Sequence, residues 1–330
     1  MSRAAGVEIA DGATRLLVTL SPADGARRWH TRLPPPVEPD AALDALNTLL
    51  TRALTQAADG DAPTRIGVAF WGEVDAARGR TLGARMPAEW DNFPLAERLV
   101  ARWDGSVRLE SGVNAAALAE ARLGAGQGYP SMLYVSLTRA VAAALVSEGR
   151  IQRGALGRAG RFGHWLIYPN GQTLAGKPAP RCACGTLGHL DPIASAQSLV
   201  RSAIGRASAT DESTAAMLRI SGGRAEAMTA TQVVELATQG DPAAVSAVDD
   251  ALDALALALA NIVALLDPGV IVIGGPLVSA GERFYAPLRQ RLATLTASYV
   301  PANAQTPIFA GMLEPFAALR GAALLAEEII

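Results

Sequence analysis

The chain holds three histidines and two cysteines, and four of these five fall within the 26 residues from His164 to His189. The surrounding stretch, 154 to 192, is rich in glycine and proline and short of aliphatic residues. Such a segment cannot order itself by burying apolar surface, so something else must hold it. Thiolate and imidazole are the usual zinc ligands, and His164, Cys182, Cys184 and His189 would fill all four corners of a tetrahedron. A site closed by four N and S donors leaves no open position, so the expected zinc is structural, not catalytic. The glycines of Cys182-Ala183-Cys184-Gly185-Thr186-Leu187-Gly188-His189 permit tight turns around an ion. The competing reading is a chance grouping of two buried thiols and two surface histidines.

Composition bounds the rest. A length of 330 residues fits two domains of about 150 residues each. Half the residues are hydrophobic but only 5% are aromatic, so alanine and small aliphatics must carry the core. A net charge of −2 argues against a general nucleic-acid binder. Two cysteines exclude a disulfide scaffold and suit a reducing cytoplasm. The longest apolar run, Ala254 to Leu266, is bracketed by Asp253 and Asp267 and falls short of the about 20 residues a membrane span needs. Glu8 and Asp11 stand where a signal peptide would be apolar, so a cytoplasmic chain is expected.

Hydrophobic patterning alternates strands with helices. Gly6 to Ala10 and Thr14 to Leu20 flank Asp11-Gly12 as a hairpin. Pro34-Pro35-Pro36 ends that region, and a helix is expected over Ala41 to Ala58. Arg65 to Phe70 reads as a strand, Pro94 to Arg102 as a helix and Ser106 to Leu109 as a strand. An alanine-rich helix follows from Asn114 to Leu123, closed by Gly124. Met132 to Leu137 and Ala140 to Val146 are strands. Beyond the irregular 154 to 192 the chain reads as mostly helical, with one strand, Val270 to Ile273, stopped by Gly274-Gly275. The pattern predicts an α/β fold of two similar lobes.

Several stretches resemble the ROK family (repressor, open reading frame, kinase). They are Val107 to Glu120, reading VRLESGVNAAALAE, with Gly124-Ala125-Gly126 behind it; Gly160-Arg161-Phe162-Gly163-His164; and Cys182 to Asp191, reading CACGTLGHLD. Gly72-Glu73-Val74-Asp75, the run Trp90 to Leu95 and the run Asp267 to Gly275 also match, in the family's order. The resemblance implies an actin-like, ribonuclease-H-like (ASKHA) fold of two α/β lobes with the site in the cleft. It implies lobes at 1–113 and 114–314, the second holding the zinc segment 157–192, with a C-terminal helix at 315–330 completing the first. Family members are mostly ATP-dependent sugar kinases or sugar-responsive repressors, often dimers or tetramers. Their zinc site is one histidine and three cysteines; here His189 stands where the third cysteine would.

The departures fall on the chemistry. The family's Asn-Asp pair, whose aspartate takes the sugar hydroxyl's proton, is Ser111-Gly112 here, and glycine accepts no proton. Glu110 beside it is expected to face the opposite side of its strand from Leu109. The N-terminal phosphate signature becomes Glu8-Ile9-Ala10-Asp11-Gly12, with Asp11 adding repulsion toward a triphosphate. The glycine-rich second phosphate loop becomes Thr138-Arg139-Ala140-Val141-Ala142-Ala143-Ala144, which reads as plain strand. These changes weigh against ATP and Mg²⁺, and Gly274-Gly275 is the best remaining nucleotide feature. On the sugar side the family's two glutamates become Arg161 and Asp191. That leaves Ser111, Arg161, His164 and Asp191 as candidate ligand contacts, alongside Glu8, Asp11, Gly274 and Gly275 on the cofactor side. Arg161 favours an anion, because guanidinium pairs with carboxylate and phosphate; a merely solvated arginine is the alternative. Trp71 and Trp90 read as core or lobe-interface residues.

The expectation is therefore a non-catalytic relative of the sugar kinases that binds a sugar, sugar acid or sugar phosphate, as a homodimer or homotetramer. One alternative is a hexokinase- or glucokinase-type enzyme with residual or altered activity. A second is a regulator of the repressor branch without its DNA-binding domain, since the first strand begins near Gly6; direct nucleic-acid binding and a membrane are not expected.

Overall fold

The aliphatic runs and the helical periodicities set the element order in the computed structural model. It describes residues 4–328 apart from 12, 21–27, 36, 57–63, 83–86, 104, 175 and 208–210. Gly12, Pro36, Ala58 and the last two residues of the expected C-terminal helix lie outside the described residues. In chain order the elements are β1 (Ala4–Ala10), β2 (Arg15–Thr19), β3 (Arg28–Arg32), α1 (Pro39–Gln56), β4 (Arg65–Phe70), β5 (Glu73–Asp75) and β6 (Arg80–Leu82). There follow α2 (Leu95–Trp103), β7 (Ser106–Ser111), α3 (Gly112–Leu123), β8 (Ser131–Leu137), β9 (Val141–Ser147) and β10 (Arg150–Ile151). After the irregular segment come α4 (Asp191–Ala194), α5 (Ala196–Ala207), α6 (Asp211–Ile220), α7 (Ala230–Thr238) and α8 (Pro242–Leu266). The chain closes with β11 (Val270–Gly274), α9 (Glu282–Thr296), β12 (Ile308–Ala310) and α10 (Ala317–Glu327).

The first unit comprises 1–127, 144–159 and 316–330. Its sheet runs β3-β2-β1-β4-β7, antiparallel across β3, β2 and β1 and parallel from β1 through β4 to β7. Leu43, Leu46, Leu50 and Ala53 recur three and four residues apart and bury one face of α1. Trp90 is fully buried and its indole N–H donates to the Val37 carbonyl at 2.7 Å, so it is a core residue of this unit. The expected boundary between residues 113 and 114 differs from the break in packing. The small residues of α3 let it lie against α10, which also packs on β1 and β4, and so α3 stays with the first unit. Strand β3 escaped sequence reading because Arg28-Trp29-His30-Thr31-Arg32 offers one apolar residue in five.

The second unit comprises 128–143 and 160–315. Its sheet takes the order β9-β8-β11-β12, to which β9 contributes its first residues, with β11 parallel to both β8 and β12. The apolar run Ala254–Leu266 forms the second half of α8, whose neighbours are α4, α5, α7 and α9. Asp241 caps this helix, accepting from the Ala244 N–H at 2.9 Å, and Pro242 occupies its first turn. Among the described residues no helix is long and apolar enough to cross a membrane. The single strand expected after residue 192 is two, since the three-residue β12 pairs with β11.

Candidate functional site

Two short backbone ladders assemble the histidine and cysteine donors. The Cys182 N–H donates to the Thr186 carbonyl and the Gly185 N–H to that of Cys182, both at 2.8 Å, so a tight knuckle brings Cys182 and Cys184 to one side. The second ladder joins 165–168 to 188–190, with Ile167 N–H on Gly188 and Leu190 N–H on Trp165, and sets His189 beside His164. Gly188 has φ +76°, and a Cβ there would lie 2.0 Å from the Tyr168 carbonyl oxygen, so this corner demands glycine.

The four donor atoms lie within 4.8 Å of one another. Tetrahedral zinc, with bonds of about 2.05 Å to N and about 2.3 Å to S, sets its ligand atoms about 3.3 Å apart for N to N and about 3.5 Å for N to S. The two Nδ1 atoms are 3.4 Å apart, Cys182 Sγ is 3.8 Å from His164 Nδ1, and Cys184 Sγ is 3.2 Å from His189 Nδ1. The donor set fits a tetrahedral zinc ion. Burial pushes the Cys182 thiol up, whereas the Thr186 backbone N–H, and then its hydroxyl, hold Cys184 down at about 6.

The sugar-side candidates of the second unit flank this centre in sequence. Arg161 is exposed and immediately precedes the 3₁₀ turn Phe162–His164, which is anchored by the buried Phe162 against Trp165 at 5.1 Å. Asp191 opens α4, and its Oδ1 accepts from the Val141 N–H at 2.7 Å. One oxygen of the candidate sugar contact therefore ties the start of β9 to the end of the zinc segment. A Cβ on Gly163 would lie 2.4 Å from the Val141 carbonyl oxygen, so these strands of chain meet closely.

In the first unit, Ser111 is the N-cap of α3, its Oγ accepting from the Asn114 N–H at 3.4 Å, and Gly112 is the first helical residue. A Cβ at Gly112 would sit 3.4 Å from the Phe70 carbonyl oxygen, ordinary contact that leaves room for a side chain. Glu110, like its neighbour Leu109, is buried. Its Oε1 accepts from the Ser111 N–H at 3.0 Å and the Asn114 Nδ2 at 2.8 Å, and its Oε2 from Arg153 Nε at 2.7 Å. Arg153, the partner that neutralises this carboxylate, carries no signal in the sequence, because 43 residues separate the two.

Asp11, expected to add repulsion toward a triphosphate, lies beside an arginine. Arg15 Nε lies 3.2 Å from its Oδ2, and Arg15 Nη2 lies 3.7 Å from Glu8 Oε1, so one guanidinium serves both acids. The β1–β2 turn holds Asp11 and Ala13 at φ 52° and 65°.

On the nucleotide side of the second unit, the expected plain strand is a bend followed by a strand. Thr138, Arg139 and Ala140 are exposed, Thr138 N–H donates to the Ala140 carbonyl at 3.2 Å, and β9 starts only at Val141. Gly275 has φ +101°, and a Cβ there would sit 2.4 Å from the Leu137 carbonyl oxygen. Its N–H donates to Glu314 Oε1 at 3.0 Å, and that same oxygen accepts from the Tyr134 hydroxyl at 2.8 Å. A Cβ on Gly274 would strike both partners, at 2.0 Å from the tyrosine oxygen and 2.4 Å from the carboxylate. The diglycine thus has a packing reason to be glycine, and its second amide is held by a carboxylate that sequence reading did not single out. A buried loop amide meeting an acid 39 residues later leaves no local pattern.

The ROK family model matches residues 4–329. The chain is 28% identical over 285 residues to a glucokinase of Streptomyces coelicolor, covering 86% of this chain and 85% of that one. It is 29% identical over 269 residues to an N-acetyl-D-glucosamine kinase of Citrobacter koseri, covering 81% and 82%. The fold superposes on a ROK glucokinase from Streptomyces griseus, solved with glucose and AMPPNP, with a TM-score of 0.80 at 28% identity, covering 99% of this chain and 100% of that one. The two α/β sheets are those of the actin-like sugar-kinase class, and the chain belongs to the ROK family.

Proposed function

We propose that this ROK sugar-kinase homologue binds a sugar, sugar acid or sugar phosphate without transferring phosphate to it. The observation that carries the reading is Gly112 at the first position of α3, where the resemblance places the catalytic base. Its neighbour Glu110 is committed to three donors and is not positioned to replace it. Losing a positioned base costs about 10²–10⁴ in rate. The nucleotide loops support the same reading: Arg139 and Ala140 stand where glycines would expose amides, and Glu314 takes the Gly275 N–H. Ser111, Arg161, His164 and Asp191 are the proposed ligand contacts, and a guanidinium at residue 161 suits an anionic substituent. The proposed zinc is structural: it orders the segment that carries three of those four residues. A homodimer or homotetramer in the cytoplasm is the assembly and place we assign.

The test is Mg·ATP-dependent ADP release over a panel of glucose, N-acetylglucosamine, uronic acids and sugar phosphates, run beside thermal-shift binding of the same compounds. Binding of one class without turnover is the expected result. Turnover at about 1 s⁻¹ or faster on any sugar would overturn the proposal. The alternative of altered kinase activity draws on one observation: the Arg15 pairs offset Glu8 and Asp11, which lowers the repulsion toward a nucleotide.

A further inference from the structure

The four zinc donors divide unequally between residues that oxidise and residues that do not. Both thiols sit in one Cys182-Ala183-Cys184 triplet, and both remaining donors are imidazoles. Cys182 is buried and Cys184 is exposed, the Gly185 N–H closes a turn on the Cys182 carbonyl, and the two sulfurs lie within 4.8 Å of each other. We infer that Cys182 and Cys184 form an oxidation site at which one peroxide converts both zinc thiolates into a disulfide and discharges the metal. The inference rests on the proposed zinc occupancy.

The chemistry closes with peroxide as the only oxidant. The exposed Cys184 sulfur attacks one peroxide oxygen; the S–O bond forms, the O–O bond breaks, and the leaving hydroxide takes a proton to become water. The Cys182 sulfur then attacks the Cys184 sulfenic sulfur, forming S–S and expelling a second hydroxide, which also leaves as water. Two electrons pass from the two thiolates to the peroxide, and both Zn–S bonds are lost. Two neutral imidazoles remain, half of a four-ligand site. A third cysteine in place of His189 would have kept one thiolate on the metal after the same step. With histidine there, a single two-electron event removes every anionic ligand.

The consequence reaches the proposed ligand site, because His164 is both a zinc donor and a candidate ligand contact, and Asp191 follows His189 by two residues. Discharge of the metal frees the ladder that joins 165–168 to 188–190 and with it the placement of Arg161, His164 and Asp191.

The experiment uses the purified full chain. Zinc per chain is measured first by elemental analysis, then hydrogen peroxide is titrated in while a chromophoric zinc indicator, a free-thiol count and intact mass are followed together. The expected result is about one zinc per chain at the start. Release then rises in step with loss of both free thiols, the mass falls by the two hydrogens of a disulfide, and a dithiol with added zinc restores both readings. Zinc retained after both thiols are consumed, thiol loss that stops at a sulfinic acid on Cys184, or release with the thiols intact would each overturn the inference. A folded chain purified without metal would overturn the zinc reading itself, a result distinct from any of these. Cys184→Ser, loaded with zinc by excess metal, is expected to form no intramolecular disulfide; peroxide-driven release at the wild-type rate in that variant would also overturn it.

Discussion

Replacing Gly112 by aspartate puts back the residue type that the family resemblance expects, at the first turn of α3. The position accepts it: a Cβ meets nothing closer than the Phe70 carbonyl oxygen at 3.4 Å, and the backbone is not left-handed. Two effects favour the substitution. Glycine costs more helical entropy than aspartate, by about 0.3 kcal/mol. A carboxylate in the first helical turn gains about 0.3–1 kcal/mol from the unsatisfied N–H groups there. Repulsion from Glu110 is muted, because Arg153 already sits 2.7 Å from that carboxylate. The net expectation is about 1 kcal/mol of added stability, read as a melting temperature higher by about 1–2 °C for a chain of this length. Gly112→Asp should nonetheless show no sugar phosphorylation with Mg·ATP, because the bend at Thr138–Ala140 and the Glu314 contact to Gly275 are untouched. A fall in melting temperature would mean that the room at residue 112 has been misjudged. Robust phosphorylation by this single variant would refute the claim that the nucleotide loops are disabled.

Three further outcomes follow from the same contacts. His189→Ala should lower zinc from about one per chain to near none, read by elemental analysis, because three donors no longer close a tetrahedral site. Glu110→Ala should cost about 1–3 kcal/mol in urea unfolding, since it takes the shared acceptor from the half-buried Ser111 N–H and Asn114 amide, whereas the exposed Arg153 guanidinium can turn to solvent. In the metal-free chain, Cys184 should alkylate ahead of Cys182, at a rate that levels off above about pH 6 and falls below it. Its thiol is depressed from 9.0 to about 6, so the stability it contributes is complete above pH 9 and lost as the pH falls through about 6. Iodoacetamide labelling with peptide mapping, and melting temperatures across that range, check both statements.

Elements with several consecutive aliphatic residues were legible in the sequence. β4, β8 and β11 fall within one residue of expectation, because runs such as Val270-Ile271-Val272-Ile273 bury on both faces and admit few alternatives. The histidine and cysteine cluster was legible for a different reason: His164, Cys182, Cys184 and His189 are chemically rare here and lie close in the chain. What escaped was set by partners far apart. Arg153 meets Glu110, and Glu314 meets Gly275 and Tyr134; Arg15 is only four residues from Asp11 but meets it through the shape of a turn. No periodicity records such pairs, and each one changes the reading of a site residue. Glu110 is removed as a substitute base, the diglycine gains a packing role, and the acidity of the first loop is offset.

The central claim is that this fold has kept a ligand site and lost its nucleotide. Calorimetric titration of the zinc-loaded chain with Mg·ATP addresses that claim without any guess about the sugar. No binding heat is expected up to about 1 mM nucleotide. Saturable binding with a Kd in the micromolar range, at one nucleotide per chain, would contradict it.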